Sequence, residues 1–271
     1  MKRTGLAGRS SGVRLLAALL LFPVAAVSSQ AFAAPPATSH RNDLRFPNLV
    51  ALPPFEVYLD EEGSGCDPYE TVEQGAQRCL RYDTVVANFG RGPLELRYRA
   101  DQTGREQELR QRIYARGGTY VERVADRYEL HPVHAHFHHA NFAMARLWDS
   151  DQLGRKLGSR PVRESNKNGF CLVDGENYWK GRKKSYPATY SDPDACYPNR
   201  TDDGGLSQVN GLSPGWVDFY QASLTDQYID VSGLPAGYYL LEIVIDPLNT
   251  VKESNETDNA VTKWIVLPEE E

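Results

Sequence analysis

The sequence of 271 residues has no excess of positive charge, because 30 lysines and arginines stand against 36 aspartates and glutamates, for a formal net charge of −6. It also has no long apolar run beyond its N-terminus and no extended apolar stripe at helical spacing. An acidic chain is a poor partner for nucleic acid, and a membrane-spanning helix needs about 20 consecutive apolar residues. The composition therefore predicts neither a nucleic-acid-binding protein nor a helical membrane protein, and it favours a cationic substrate.

Cysteine is scarce, with four residues at Cys66, Cys79, Cys171 and Cys196. None of them has the C-x-x-C spacing of a zinc or redox motif. An even number in an exported chain indicates two disulfides, for which three pairings exist. Proximity in sequence favours Cys66 with Cys79 and Cys171 with Cys196.

The N-terminus has the pattern of a secretory signal. Four basic residues precede an apolar run at positions 15–27, and Ala31-Phe32-Ala33 has the A-x-A form of a cleavage site. We expect a signal peptide at 1–33, a linker at 34–43 and one folded domain at 44–271, in a protein that is secreted to the periplasm or the extracellular space. An uncleaved N-terminal anchor is the alternative.

The remaining chain alternates short segments rich in Val, Ile, Leu, Tyr and Phe with turn residues. This pattern predicts an all-β fold, an antiparallel β-sandwich with long loops and little helix. Among the expected strands are single long ones at 80–89 and 134–148, and a hairpin of 238–245 with 260–266. The polar region 154–213 is expected to consist of long functional loops.

Five of the six histidines lie within nine residues, in the run HPVHAHFHH from His131 to His139. His134, His136 and His138 recur with a period of two, which places their side chains on one face of a β-strand and on no single face of a helix. Three neutral imidazoles suit copper, zinc, iron or nickel. His131 and His139 fall off the metal face of a regular strand, so we expect them to be surface residues or to support the ligands.

Several other motifs accompany the histidine run. They are SNKNGFCLVD at 165–174, GLSPGWVDFYQASLTDQYID at 211–230 and GLPAGYYLLEIVIDPLNTVKESNETDNAV at 233–261. Together with HPVHAHFHHANF, and in this order, they resemble the lysyl oxidase family. The chain looks like a bare catalytic domain of prokaryotic type, because the accessory N-terminal domains of many family members have no counterpart in it.

The resemblance implies roles for individual residues. His134, His136 and His138 match the family's copper ligands, and Lys167 and Tyr220 match the pair that becomes lysine tyrosylquinone, a cofactor made from the protein's own side chains. The implied activity is oxidation of primary amines by O2 to aldehydes, with release of ammonia and hydrogen peroxide. The substrates would be lysine side chains of proteins or peptides, or small primary amines.

Two other functions remain open. One is a copper-binding β-sandwich protein that makes no quinone, and the other is a zinc hydrolase in which metal-bound water is the nucleophile. A pH-sensitive histidine cluster on the surface is the plain alternative to a metal site.

A catalytic base is expected near the quinone. Asp218 lies two residues from Tyr220 and shares its face if the segment is extended, so we predict that it abstracts the substrate's α-proton. A structural role as the cap of the Ser213-Pro214-Gly215 turn is equally open, and Asp230 is a weaker candidate for the base.

The loop VKESNETDNAV carries oxygen ligands of the kind that calcium takes. It resembles a calcium-binding loop of some lysyl oxidases, in which an N-terminal Asp-Leu pair takes part. The corresponding pair here is Asn48-Leu49, which lacks one carboxylate. The candidate calcium residues are Asn48, Leu49, Glu253, Asn255, Asp258 and Asn259, and a solvated hairpin turn is the alternative.

Overall fold

The computed structural model describes residues 43–60, 76, 78–100, 108–131, 136–165, 169–179, 186–202 and 204–269. They belong to a compact unit that spans Ala37–Glu271. His134, Lys167 and Cys66 lie outside the described residues, as do the predicted signal peptide and nearly all of the predicted linker. Within the described ranges, no helix is long and apolar enough to cross a bilayer.

Eighteen β-strands and a short 3₁₀ helix, Pro193–Cys196, make up the described structure. The strands are β1 (Leu44–Arg45), β2 (Leu49–Leu52), β3 (Val57–Asp60), β4 (Cys79–Tyr82), β5 (Thr84–Asn88), β6 (Leu94–Ala100), β7 (Glu108–Ala115), β8 (Tyr120–His131), β9 (His136–His139), β10 (Ala143–Asp149), β11 (Arg163–Glu164), β12 (Glu176–Asn177), β13 (Asn199–Arg200), β14 (Leu206–Leu212), β15 (Trp216–Tyr220), β16 (Tyr228–Asp230), β17 (Gly237–Ile245) and β18 (Ala260–Leu267).

These strands form four antiparallel sheets. The largest has seven strands in the order β13-β14-β6-β7-β8-β9, with β1 also paired to β7. Two sheets have four strands, β11-β10-β17-β18 and β12-β15-β5-β2, and one has three, β16-β4-β3. The antiparallel pairing and the near absence of helix in the described ranges confirm the predicted fold class.

The core lies between the sheets, where strands such as β2 and β7 bury alternate residues and β4 and β5 are buried along their whole length. One apolar cluster joins the seven-stranded sheet to both four-stranded sheets, with Leu96, Tyr128, Phe142 and Ile245 among its buried members. A second cluster joins the three-stranded sheet to β10 and β17. The first cluster also includes Phe170 and Leu172, so a non-strand segment of the polar region is packed into the core.

Three of the predicted segments differ in the structure. The expected strand 80–89 is divided at Asp83 between two sheets, because its carboxylate accepts the N–H groups of Glu56 and Ala222 there. The expected strand 134–148 is likewise two strands, β9 and β10, separated by a turn. The region 154–213 is not loop throughout, since it contains β14, which pairs with β6 along its whole length.

Candidate functional site

The histidine run forms one arm of a β-hairpin. Strands β8 and β9 pair antiparallel, with Tyr128 opposite His139 and His131 opposite His136. Positions 136 and 138 therefore share one face of β9, as the period of two predicted. Within the described residues no group of three or more His, Cys, Asp or Glu side chains is arranged to hold a metal. That set lacks His134, so the three-histidine ligand site stays a prediction.

His138 is buried against the segment that follows Lys167. Its side chain is 1% exposed, and the backbone of Gly169 packs directly on it. A Cβ atom at position 169 would lie 3.0 Å from Cβ and 3.2 Å from Nδ1 of His138. Only glycine allows this close approach without a shift, so the histidine strand and the predicted lysine segment are in van der Waals contact.

His139 connects the same two segments through its backbone. Its N–H donates to the carbonyl of Phe170 at 2.9 Å, and the N–H of Phe170 donates to the carbonyl of His139 at 3.2 Å. Its side chain is 1% exposed, and Nε2 lies 3.1 Å from Oδ2 of Asp126. Of the two expectations for His139, the surface position is therefore wrong, and the role of supporting the metal ligands stays a prediction.

Asp126 is the acidic partner at this end of the hairpin. Burial acts to raise the pKa of its carboxyl, but the interactions with His139, the Asn141 amide and the Arg127 backbone together outweigh burial and hold the pKa below its ordinary value. The amide of Asn141 also donates to Asp126 Oδ2, at 3.1 Å. Asp126 thus joins β8 to both the last residue of β9 and the turn after it.

Tyr220, at the end of β15, forms hydrogen bonds with Cys171, the residue after Phe170. The N–H of Cys171 donates to the phenolic oxygen at 2.9 Å, and the phenolic O–H donates to the carbonyl of Cys171. The Tyr220 ring meets the Phe170 ring edge to face at 4.7 Å. Burial raises the pKa of the Tyr220 phenol well above its ordinary value, and the charge of Asp218 raises this pKa further. The phenol is therefore protonated at neutral pH in the arrangement described.

Asp218 lies on the same face of β15 as Tyr220 and, like Tyr220, hydrogen-bonds the segment that follows Phe170. Its Oδ2 accepts the N–H of Val173 at 3.3 Å, and its Oδ1 accepts the N–H of Phe219 at 2.9 Å. The residue is 4% exposed, and burial raises the pKa of its carboxyl to about 7. A carboxyl with this pKa is suited to exchange protons near neutral pH. Asp230 lies in the three-stranded sheet, where its carboxylate accepts the N–H of Ser232.

The cap of the turn at Ser213 is Asp174 and not Asp218. The N–H and the hydroxyl of Ser213 both donate to the Asp174 carboxylate at 2.7 Å, and the N–H groups of Thr189 and Tyr190 donate to it at 2.8 and 3.0 Å. This buried carboxylate joins three segments of the site. Sequence reasoning missed it because its partners lie 15 to 39 residues away and no local motif marks them.

A disulfide fixes the same segment from the other side. Cys171 is bonded to Cys196, which confirms this predicted pairing. The side chains of Gln208 and Asn210 donate to the Cys171 sulfur at 3.6 and 3.2 Å. Cys79 is also disulfide-bonded, and its expected partner lies outside the described residues.

The predicted calcium residues converge, with one exception. Glu253 accepts the N–H of Leu49 and the amide of Asn259, and Asn48 donates to Asp258 at 3.0 Å. Burial, ahead of nearby carboxylate charges, raises the pKa of Glu253 to about 8.

Asn255 is the exception. Its Oδ1 accepts the N–H and the hydroxyl of Thr257 at 3.2 and 2.8 Å, which closes a local turn. The other five candidates are thus joined by three hydrogen bonds, while Asn255 is engaged within its own loop.

Comparison with known proteins finds similarity to lysyl oxidases. The family model for lysyl oxidase matches residues 99–270, which is well over half of the chain. Lysyl oxidase homolog 1 of Homo sapiens is 31% identical over 134 residues, which are 49% of this chain and 19% of that protein. Protein-lysine 6-oxidase is 30% identical over 135 residues in Homo sapiens and 29% identical in Gallus gallus, over 49% of this chain and about a quarter of those proteins. The chain thus spans less than a third of the length of these relatives.

Proposed function

The chain belongs to the lysyl oxidase family, and from this premise we propose that it is a secreted copper-dependent amine oxidase. It would oxidise the ε-amino groups of lysine side chains, or small primary amines, to aldehydes with O2 and release ammonia and hydrogen peroxide. Its cofactor would be lysine tyrosylquinone formed from Lys167 and Tyr220.

The observation that supports this proposal best is the meeting of three segments that are far apart in sequence. Residues 169–171 contact His138 by close packing, His139 by two backbone hydrogen bonds and Tyr220 by two more. Lys167 precedes this segment by two residues. The histidine strand, the lysine segment and the tyrosine are thus neighbours in the fold, as a copper site that makes its own cofactor requires.

The described residue that supports a copper site is His138, a buried imidazole in the hairpin, against which only a glycine at position 169 packs without a shift. His134, His136 and His138 would hold the metal. Copper, when bound, would promote the oxidation of the Tyr220 ring by O2, which the coupling of that ring to Lys167 requires.

The protein's own residues then control protons. Burial raises the pKa of the Tyr220 phenol and its O–H donates to the Cys171 carbonyl, so the ring would give up this proton and this hydrogen bond to react as a phenolate. Asp218, on the same face of β15, would accept the α-proton of the bound amine, and its pKa of about 7 suits that task. The formal net charge of −6 would draw a cationic amine toward the protein in a salt-dependent way.

We also propose a calcium ion at the Glu253 loop. Oδ1 of Asp258 and Oδ1 of Asn259 are buried and have no hydrogen-bond donor within the described part of the chain. Unpaired buried oxygens are costly, and hard cations bind such carboxylate and amide oxygens. The ion would stabilise this loop against residues 48–49.

The proposal is tested by peptide mass spectrometry on copper-loaded protein incubated in air, together with a peroxide assay on a lysyl peptide. We expect a cross-link between the Lys167 and Tyr220 peptides that needs both copper and O2, and peroxide release. Lys167→Arg and Tyr220→Phe should abolish both signals. Tyr178→Phe, at an exposed tyrosine, is the matched control and should keep them.

Folded, copper-loaded wild-type protein that forms no cross-link and releases no peroxide would refute the oxidase. That result would leave a copper-binding protein of the same fold. Folded protein that binds zinc through three protein ligands and a water molecule, but binds no copper, would instead favour the hydrolase.

A further inference from the structure

His139 occupies a position that the metal site does not use. It is adjacent to His138, so its side chain leaves the opposite face of β9. There it is buried, and its ring packs on Phe142 with 5.5 Å between the ring centroids. An imidazole costs more to bury than an apolar residue would, unless its polar atoms have partners. The partner that the structure provides is Asp126, at 3.1 Å.

The surroundings of this pair join the histidine hairpin to the rest of the site. Asp126 also accepts the amide of Asn141, and the N–H of Ala140 donates to the carbonyl of Arg127 at 3.2 Å. The open end of the β8–β9 hairpin is therefore held by side chains and backbone together. The backbone of His139 is at the same time the point at which β9 pairs with Phe170.

We propose that Asp126 and His139 are positioning residues for cofactor formation. The carboxylate fixes the imidazole of His139, and the fixed residue holds the end of β9 against Phe170 and Cys171. This sets the distance between the copper-binding face of β9 and the phenol of Tyr220, which hydrogen-bonds Cys171. The inference rests on the proposed function and adds a role for two residues that touch neither the metal nor the substrate.

The contact between His139 and Asp126 is close but lacks the geometry of a full hydrogen bond. Nε2 lies 3.1 Å from Oδ2 of Asp126, and neither ring nitrogen of His139 has a hydrogen-bond partner within the described ranges. Replacement of Asp126 by asparagine would remove the charge that fixes the ring while keeping the size of the side chain.

The test uses the copper-loaded full chain with the substitutions Asp126→Asn, His139→Gln and both together. Glu122→Gln is the matched control, because Glu122 lies on the same strand but pairs with Arg112 on the exposed face. Three quantities are measured: the copper bound per chain, the Cu(II) electron paramagnetic resonance spectrum under anaerobic conditions, and the rate of cross-linking of the Lys167 and Tyr220 peptides after O2 is admitted.

We expect each single variant to bind copper as the wild type does, to show shifted Cu(II) hyperfine splitting, and to cross-link about tenfold more slowly per bound copper. The double variant should be no slower than the slower single variant, because the two residues act as one unit. A purely structural role would lower the melting temperature without changing the spectrum or the rate of the folded, copper-loaded fraction.

Variants that match the wild type in spectrum and rate would overturn the inference alone. Additive losses in the double variant, or cross-linking that falls only in proportion to bound copper, would overturn it as well. If the wild type itself forms no cross-link, the proposed function fails, and the inference fails with it.

Discussion

Replacement of Asp174 by alanine should lower the free energy of unfolding by about 3–5 kcal/mol. The carboxylate accepts the backbone N–H groups of Ser213, Thr189 and Tyr190 and the hydroxyl of Ser213. Asp174 is 5% exposed, and alanine would leave the buried N–H groups of Ser213 and Tyr190 without an acceptor. Thr189 is exposed and its N–H also donates to the Ser213 hydroxyl, so it adds little. Each buried donor without an acceptor costs about 1–3 kcal/mol, and these two backbone groups set the estimate because the Ser213 hydroxyl is able to rotate.

Guanidinium unfolding followed by tryptophan fluorescence, with the disulfides intact, measures this loss if the slope with denaturant is unchanged. Asp192→Ala is the control, because its carboxylate also accepts a backbone N–H, that of Asp194, but in an exposed cap. That variant should lose about 1 kcal/mol or less. Asp174→Asn keeps an acceptor oxygen and should fall between the two. A loss at Asp174→Ala no larger than at Asp192→Ala would refute the reasoning.

Three further predictions concern the site. Asp218→Asn should lower kcat/KM by about 100-fold or more. Because burial raises the pKa of Asp218 to about 7, the basic form predominates above that pH, and wild-type kcat/KM should rise through about pH 7. A flat pH profile would contradict the role of Asp218 as the base. Gly169→Ala should weaken copper binding about tenfold, because the new Cβ would clash with His138 at a cost of about 1–2 kcal/mol. The measurement is a copper titration, and Gly237→Ala, whose Cβ would meet nothing nearer than 3.7 Å, should match the wild type in it. Calcium at about 100 times its dissociation constant should add about 2.7 kcal/mol of stability, which is measured as a higher Tm. Asp258→Asn should remove this effect. A wild-type Tm that does not change when calcium is added would exclude the ion.

The fold class and the strand that carries the histidines are predictable from the sequence, because both depend on the alternation of residue types between neighbouring positions. Period-two spacing predicts the strand that carries positions 136 and 138, and alternating apolar residues predict the antiparallel sheets. The break at Asp83 and the burial of His139 do not follow, since both depend on segments distant in the chain. Asp174 shows the same limit, because a capping carboxylate whose donors lie far along the chain has no signature in its own neighbourhood.

Residues proposed for chemistry in this protein are also structural acceptors, so the choice of substitution decides what an activity loss means. Asp218 accepts the N–H of Val173, and Tyr220 accepts the N–H of Cys171, so both help to place the segment that follows Lys167. Asp218→Asn keeps one acceptor oxygen, which is able to take the N–H of Val173, and removes the base, whereas Asp218→Ala removes the base and both acceptors. If Asp218 is the base, the two variants should lose similar activity, while Asp218→Ala should be less stable than Asp218→Asn by about 1–3 kcal/mol. Activity retained in Asp218→Asn and lost in Asp218→Ala would instead assign Asp218 a structural role, because the hydrogen bond to Val173 would then be the feature that the reaction needs.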